Sequence, residues 1–179
     1  KLKKKGFSLY PEYIFENIKV GDFLNVGFEG LKIKIIKKTK LYLLFKTISE
    51  GIVENNKGVH LNNRKIKINY LTNKDLKAIE ISKKLKIKYF ALSFTNSKEN
   101  MKNFSKLLPK QKKIFKIETK KAFNNFKELI KYGDNFLIDR GDLSQDISIE
   151  EIPYAQRKII NLSKKFKNKN VYVATNLLE

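Results

Sequence analysis

The residues after about position 66 alternate between short apolar runs and longer segments with a helical spacing of apolar side chains. The apolar runs are Ile87–Phe94, Lys113–Ile117, Asn135–Asp139 and Asn170–Ala174. Such runs, apolar nearly throughout, are typical of strands that are covered on both faces. Strands that alternate with helices in this way form parallel sheets. We therefore predict an α/β fold with a parallel sheet in this part of the chain.

Helix-start signals and apolar spacing mark four helices among these strands. Thr72 and Asp75 resemble a capping box, Ser97 is suited to cap a second helix, and Pro153 suits the first turn of a fourth. The third helix is predicted from a run of apolar residues with helical spacing. These residues are Ala122, Phe123, Phe126, Leu129 and Ile130.

The first part of the chain has a different character. Lys32–Ile36 and Leu41–Thr47 are rich in β-forming residues, and no long helical period occurs there. Turns are expected at Val20-Gly21-Asp22 and at Glu29-Gly30-Leu31, where glycines interrupt the pattern. We predict a small β-rich domain over residues 1–58 and a second domain over residues 59–179.

Lysine dominates the charge of the chain. Lys and Arg number 39 against 18 Asp and Glu, which gives a formal net charge of +21. A basic nucleic-acid-binding module is one interpretation. However, only three of the cations are the Arg residues whose bidentate fork reads bases and phosphates, and the Lys residues are spread along the chain. We therefore favour solvated lysines on outer faces and do not expect a nucleic-acid partner.

Several classes of protein are excluded by composition. The chain has no Cys, so disulfides, thiolate zinc sites, Fe–S clusters and a cysteine nucleophile are ruled out. No apolar run approaches the roughly 20 residues of a spanning helix, and no secretory signal opens the chain. We expect a soluble, cytoplasmic protein without a membrane partner. Because the first residue is Lys rather than Met, the sequence is also compatible with a piece of a longer polypeptide.

Polar residues gather at the carboxyl ends of the predicted strands, where parallel α/β folds bind ligands. Lys116 and Glu118 share one face of their strand because strand side chains alternate. Glu118 and Asp142 suit a Mg²⁺ ion, and Lys116 suits the negative charge of a phosphoryl group or an enolate oxygen. Gly141 lets the backbone approach a ligand closely. A structural Lys116–Glu118 ion pair and a simple turn at 140–142 remain an equally open interpretation.

Six segments, in the right order, resemble signatures of the pyruvate kinase family. They are Asn56–Leu61, Ser93-Phe94, Phe115–Thr119, Arg140–Leu143, Glu150–Gln156 and Ala174–Glu179. The resemblance implies phosphoryl transfer from phosphoenolpyruvate to ADP, which yields pyruvate and ATP in the final step of glycolysis. It also implies Mg²⁺ and K⁺ as cofactors, and a homo-oligomer for a full-length enzyme.

The same resemblance implies a role for each matched residue. Lys116 would stabilise the phosphoryl and enolate charge, and Glu118 and Asp142 would hold Mg²⁺. The backbone of Gly141 and Asp142, together with the Thr175 side chain, would hold the substrate carboxylate. Thr175 would also lie near the enolate carbon that is protonated. Lys57, which belongs to the lid domain, would reach the nucleotide phosphates.

The resemblance covers only part of the family's architecture. It implies strands four to seven of an eight-stranded (β/α)₈ TIM barrel, preceded by the lid domain, and places the K⁺ site outside this chain. Asn176 replaces a Gln, Asn96 stands where the family often has Arg, and Phe28-Glu29 stands for Asp-Asp. Three interpretations stay open: a part of a longer enzyme, a half that binds a partner chain to complete its barrel, or a diverged, catalytically incomplete relative.

Overall fold

The computed structural model describes residues 6–27 and 31–175 of the 179-residue chain. The chain divides into two compact units, Lys1–Asn69 and Tyr70–Glu179. Within the described residues, no helix is long and apolar enough to cross a membrane.

The strands and helices of the described residues are numbered in the order in which they occur along the chain. The strands are β1 (Phe23–Val26), β2 (Leu31–Lys38), β3 (Leu43–Thr47), β4 (Val59–Leu61), β5 (Tyr89–Leu92), β6 (Lys112–Ile117), β7 (Asn135–Asp139) and β8 (Asn170–Ala174). The helices are α1 (Ile14–Asn17), α2 (Asn73–Lys84), α3 (Lys98–Leu107), α4 (Lys120–Leu129), α5 (Arg140–Leu143) and α6 (Ile152–Ser163). Two short 3₁₀ segments cover Ile130–Tyr132 and Ile149–Glu151.

The first unit contains an antiparallel sheet with the strand order β3-β2-β1-β4. The expected turn at Val20-Gly21-Asp22 is present, and Gly21 adopts φ +92° there, a conformation that favours glycine. Part of the other expected turn, at Glu29-Gly30-Leu31, lies outside the described residues. β4 pairs with β1, with Leu61 opposite Leu24, so residues 59–61 belong to this sheet. The division between the units therefore falls after Asn69 rather than after residue 58.

A buried ion pair supports the first unit beside its apolar core. Asp22 is 2% exposed and accepts hydrogen bonds from Arg64 Nε at 2.9 Å and Nη2 at 2.6 Å. Lys19 N donates to the same carboxylate at 2.8 Å. Burial alone would raise the pKa of Asp22, but these hydrogen bonds and the Arg64 charge outweigh it and hold the pKa below its ordinary value.

The second unit contains the predicted parallel sheet, with the strand order β5-β6-β7-β8. β7 and β8 have the predicted bounds, and the capping roles of Thr72 and Ser97 are confirmed at the starts of α2 and α3. β5 is shorter than predicted at both ends. Ile87 N still donates to Ser82 O at the end of α2, and Phe94 turns to φ +51° and leaves the extended conformation.

The two faces of the parallel sheet differ in their burial. On β7, Phe136 and Ile138 are fully buried, and Phe136 meets Phe126 of α4 edge-on at 5.2 Å between ring centroids. Leu137 and Asp139, which point the other way, are only partly buried. Lys116 of β6 lies beside Leu137 and is also partly exposed. The polar strand ends therefore lie on the sheet face that points away from the buried core.

Candidate active site

Lys116 lies between two carboxylates at the carboxyl end of the parallel sheet. Its Nζ is 2.5 Å from Glu118 Oε1 and 3.1 Å from Asp139 Oδ2. The register explains this arrangement, because Lys116 pairs with Leu137 and the next residue on the same face of β7 is Asp139. Burial lowers the pKa of Lys116, but the two carboxylates raise it more, so its pKa lies above the ordinary value and the ammonium stays charged.

Glu118 is buried and held by the end of the neighbouring strand. It is 1% exposed, and Phe94 N donates a 2.5 Å hydrogen bond to its Oε2. Phe94 has φ +51°, so the chain turns out of the extended conformation directly after this amide. Burial raises the pKa of Glu118, and the nearby Asp142 charge adds to this effect, while Lys116 and the Phe94 amide oppose it. The pKa of Glu118 therefore lies above its ordinary value.

Three carboxylates converge at this point of the sheet. One oxygen from each of Glu118, Asp139 and Asp142 lies within 4.8 Å of the others. The sequence predicted the convergence of Glu118 and Asp142 but missed Asp139. The missed signal is its position as the last residue of β7, on the face shared with Leu137 and with Lys116 of β6. With Lys116 as the nearby cation, the cluster carries an excess of negative charge.

The donor set fits a hard divalent cation such as Mg²⁺. Glu118 Oε1 is buried and lies close to Lys116 Nζ, and within the described part of the chain it accepts no hydrogen bond of good geometry. Each carboxylate oxygen carries two lone pairs, so Glu118 Oε1 can bind an ion beside its contact with Lys116, and it is a ligand type that Mg²⁺ prefers. Glu118 and Asp142 are therefore suited to hold the ion, with Asp139 at the edge of the same cluster.

Thr175, directly after β8, lies against three successive residues at the end of β7 and the start of α5. Its Oγ1 donates to Asp139 Oδ1 at 3.0 Å. Its carbonyl oxygen accepts from Arg140 Nε at 2.9 Å and Nη2 at 2.5 Å. A side chain on Gly141 would come within 3.0 Å of Thr175 Cγ2, so the absence of one leaves room for the threonine methyl. The structure thus brings Gly141, Asp142 and Thr175 together beside the Lys116 cluster.

One predicted site residue lies in the other unit. Lys57 belongs to the first unit, where its Nζ is 2.7 Å from Glu54 Oε2 and the side chain is 41% exposed. Its predicted contact with nucleotide phosphates stays a prediction. Of the final matched segment, residues 176–179, including Asn176, lie outside the described residues.

Comparison with known proteins points to one family. The family model "Pyruvate kinase, barrel domain" matches residues 3–179. The chain is 32% identical over 168 residues to the pyruvate kinase of Thermotoga maritima, covering 92% of this chain and 36% of that protein. It is 28% identical over 165 residues to the pyruvate kinase of Methanocaldococcus jannaschii, covering 90% of this chain and 37% of that protein. The chain thus spans about a third of the length of these relatives.

Proposed function

Because the chain belongs to the pyruvate kinase family, we propose that it carries the phosphoryl-transfer site for phosphoenolpyruvate and ADP, which are converted to pyruvate and ATP. The observation that carries this proposal is the position of Lys116 Nζ between Glu118 and Asp139, with Asp142 in the same cluster. An ammonium among several carboxylates is suited to bind an anionic substrate together with a metal ion held by the carboxylates.

Mg²⁺ is the proposed cofactor of this cluster. Glu118 and Asp142 would hold it through carboxylate oxygens, since one oxygen of each lies within 4.8 Å of the other and Mg²⁺ prefers such ligands. When bound, the ion supplies charge neutralisation for the transferring phosphoryl group. The Phe94 amide fixes the Glu118 carboxylate from the opposite oxygen. K⁺ is expected from the resemblance, at a site outside this chain.

Each side chain of the site has a proposed step. Lys116 stays protonated and would stabilise the negative charge of the phosphoryl group and of the enolate oxygen that it leaves. The backbone of Gly141 and Asp142 and the side chain of Thr175 would hold the substrate carboxylate. Thr175 would also lie beside the enolate carbon that receives a proton. From the first unit, Lys57 would reach the phosphates of ADP.

The architecture proposed for the whole protein follows the family. We propose that β5 to β8 are strands four to seven of an eight-stranded (β/α)₈ barrel, and that the first unit is a lid domain over residues up to Asn69. The other strands, together with the K⁺ site, would come from polypeptide beyond the third of the relatives' length that this chain spans. A cytoplasmic homo-oligomer is expected for such an enzyme.

A coupled assay of pyruvate release tests the activity. The natural polypeptide that contains this chain is supplied with phosphoenolpyruvate, ADP, Mg²⁺ and K⁺. Lys116→Met should reduce turnover at least about a hundredfold, because it removes the cation that faces the developing charge. Lys112→Met is the matched control, since Lys112 lies on the same face of β6 at its other end and contacts the Tyr89 ring. An active Lys116→Met variant, or a wild type without turnover, would contradict the proposal.

A second candidate function is a catalytically incomplete protein that binds a partner chain to complete its barrel. The observation that favours it is the outer position of β5 and β8, whose Tyr89 and Tyr172 are 61% and 49% exposed. This candidate predicts no pyruvate release and a stable hetero- or homo-oligomer in sedimentation equilibrium. A monomer with turnover would contradict it.

A further inference from the structure

We propose that Asp139 is a positioning residue of this site, which fixes the Lys116 ammonium and the Thr175 hydroxyl relative to each other. The inference rests on the proposed function, in which Lys116 and Thr175 act on the substrate. Neither the composition nor the matched signatures give Asp139 a role, and only the structure shows its contacts.

The two oxygens of Asp139 bind different partners. Oδ2 lies 3.1 Å from Lys116 Nζ, while Oδ1 accepts from Thr175 Oγ1 at 3.0 Å and from Asp142 N at 3.4 Å. This bridge is possible because β7 lies between β6, which carries Lys116, and β8, which leads to Thr175. Asp139 is the last residue of the central strand and pairs with Ala174, next to Thr175.

The backbone of Thr175 shows why it needs to be held. Its φ is +76°, a conformation that β-branched residues rarely adopt, and such positions persist only where neighbouring groups enforce them. Arg140 donates to the carbonyl oxygen of Thr175. The Thr175 hydroxyl is held separately, by its hydrogen bond to Asp139. Within residues 6–27 and 31–175, the contact with Asp139 is the one that fixes the direction of Thr175 Oγ1.

The contact also determines what Thr175 offers to a substrate. An ionised carboxylate only accepts hydrogen bonds. The Thr175 hydroxyl therefore donates a hydrogen bond to Asp139 and presents its oxygen lone pairs to the site. In this state the hydroxyl can accept a hydrogen bond from a water beside the enolate carbon. To hold the substrate carboxylate, its proton would turn from Asp139 to the substrate.

Two substitutions separate the contacts of Asp139. Asp139→Ala removes the contacts with Lys116, Thr175 and Asp142 N, whereas Asp139→Asn keeps an oxygen that accepts from Thr175 and Asp142 N but loses the charge that attracts Lys116. Since small misplacements of reacting groups cost up to about a hundredfold, we expect kcat for pyruvate release to fall at least about tenfold in Asp139→Ala. The KM for phosphoenolpyruvate should change less than about threefold, and Asp139→Asn should recover part of kcat. Asp134→Ala is the control, as Asp134 is an exposed acid before the start of β7, paired with Lys169.

A second readout does not depend on turnover. Three-bond couplings to the Thr175 methyl carbon report its χ1 rotamer by NMR. We expect one rotamer in the wild type and in Asp139→Asn, and averaged couplings in Asp139→Ala. An unchanged rotamer in Asp139→Ala, a kcat within about twofold of wild type, or an Asp139→Asn variant no better than Asp139→Ala would overturn the inference. A wild type without turnover whose rotamer responds as expected would contradict the proposed function but support the positioning by Asp139.

Discussion

Lys116 on β6 and Glu118, the residue directly after this strand, form an ion pair in which Nζ lies 2.5 Å from Oε1 and the Glu118 side chain is fully buried. A buried pair of this kind contributes little net stability, because desolvation of both charges opposes their attraction. Its position at the carboxyl end of a parallel sheet, beside two further carboxylates, is typical of a functional site.

The charge state of Lys116 can be tested by amine acylation at mildly alkaline pH without metal. Glu118 and Asp139 raise the pKa of Lys116, so little of it is the reactive free amine. Glu118→Gln removes one of these charges with nearly the same side-chain shape, and labelling of Lys116, measured by mass spectrometry, should become severalfold faster. Glu128→Gln is the control, because Glu128 pairs with Lys98 instead. An equal or slower rate in Glu118→Gln would contradict the electrostatic account.

Gly133 is required by the packing of the second unit. Its φ is −150°, which any residue adopts, but a Cβ there would lie 2.5 Å from Phe115 Cδ2 and 2.8 Å from Met101 Cε. Because Phe115 and Met101 are buried in the core, Gly133→Ala should lower the free energy of unfolding by about 1–3 kcal/mol. Urea unfolding followed by circular dichroism measures this change.

The control for this substitution is Gly58→Ala, where the nearest atom to the new Cβ would be His60 Nε2 at an ordinary 3.5 Å. It should change the free energy of unfolding by less than about 0.5 kcal/mol. Equal free energies of unfolding for Gly133→Ala and the wild type would contradict the close packing of Phe115 and Met101 against Gly133.

Asp22 makes the stability of the first unit depend on pH. Its pKa in the folded state lies below the ordinary value of 3.8, so the unfolded state binds more protons in acid. Its contribution is therefore complete above about pH 5 and is lost as the pH falls through the folded pKa. Urea titrations followed by the methyl NMR signals of Leu24 and Ile33 should show a smaller loss of stability in acid for Asp22→Asn than for the wild type.

At neutral pH the same Asp22→Asn variant should be less stable than the wild type by about 2 kcal/mol, because it weakens the charge-assisted hydrogen bonds of a buried group. Glu50→Gln, at an exposed position of the same unit, is the control. A parallel pH dependence of wild type and Asp22→Asn would contradict the assignment of this acid sensitivity to the Asp22–Arg64 pair.

The sequence predicted most of the second unit because its signals are local. The bounds of β7 and β8, the caps at Thr72 and Ser97, and the shared face of Lys116 and Glu118 follow from residue patterns within a few positions. The division between the units did not follow, because β4 has only three residues and is defined by pairing with β1. Such a pairing joins segments that are distant in sequence and leaves no local pattern.

The site was predicted in part for the same reason. Glu118 and Asp142 stand out as acids at strand ends, whereas Asp139 resembled an ordinary last residue of its strand. Its bridge between Lys116 and Thr175 depends on strand order and register, which only the structure provides. The turn of Phe94 toward Glu118 is likewise a backbone conformation that its residue type does not indicate.

The most direct test of the proposed site uses Mn²⁺ as a paramagnetic substitute for Mg²⁺ and the ³¹P NMR signal of phosphoenolpyruvate. If Glu118 and Asp142 hold a metal ion next to the phosphoryl group, Mn²⁺ bound to the natural polypeptide should strongly enhance ³¹P relaxation. Glu118→Gln should weaken Mn²⁺ binding at least about tenfold, a cost of about 1.4 kcal/mol, and abolish the enhancement at matched Mn²⁺ concentration. The same relaxation enhancement in Glu118→Gln as in the wild type would contradict the account.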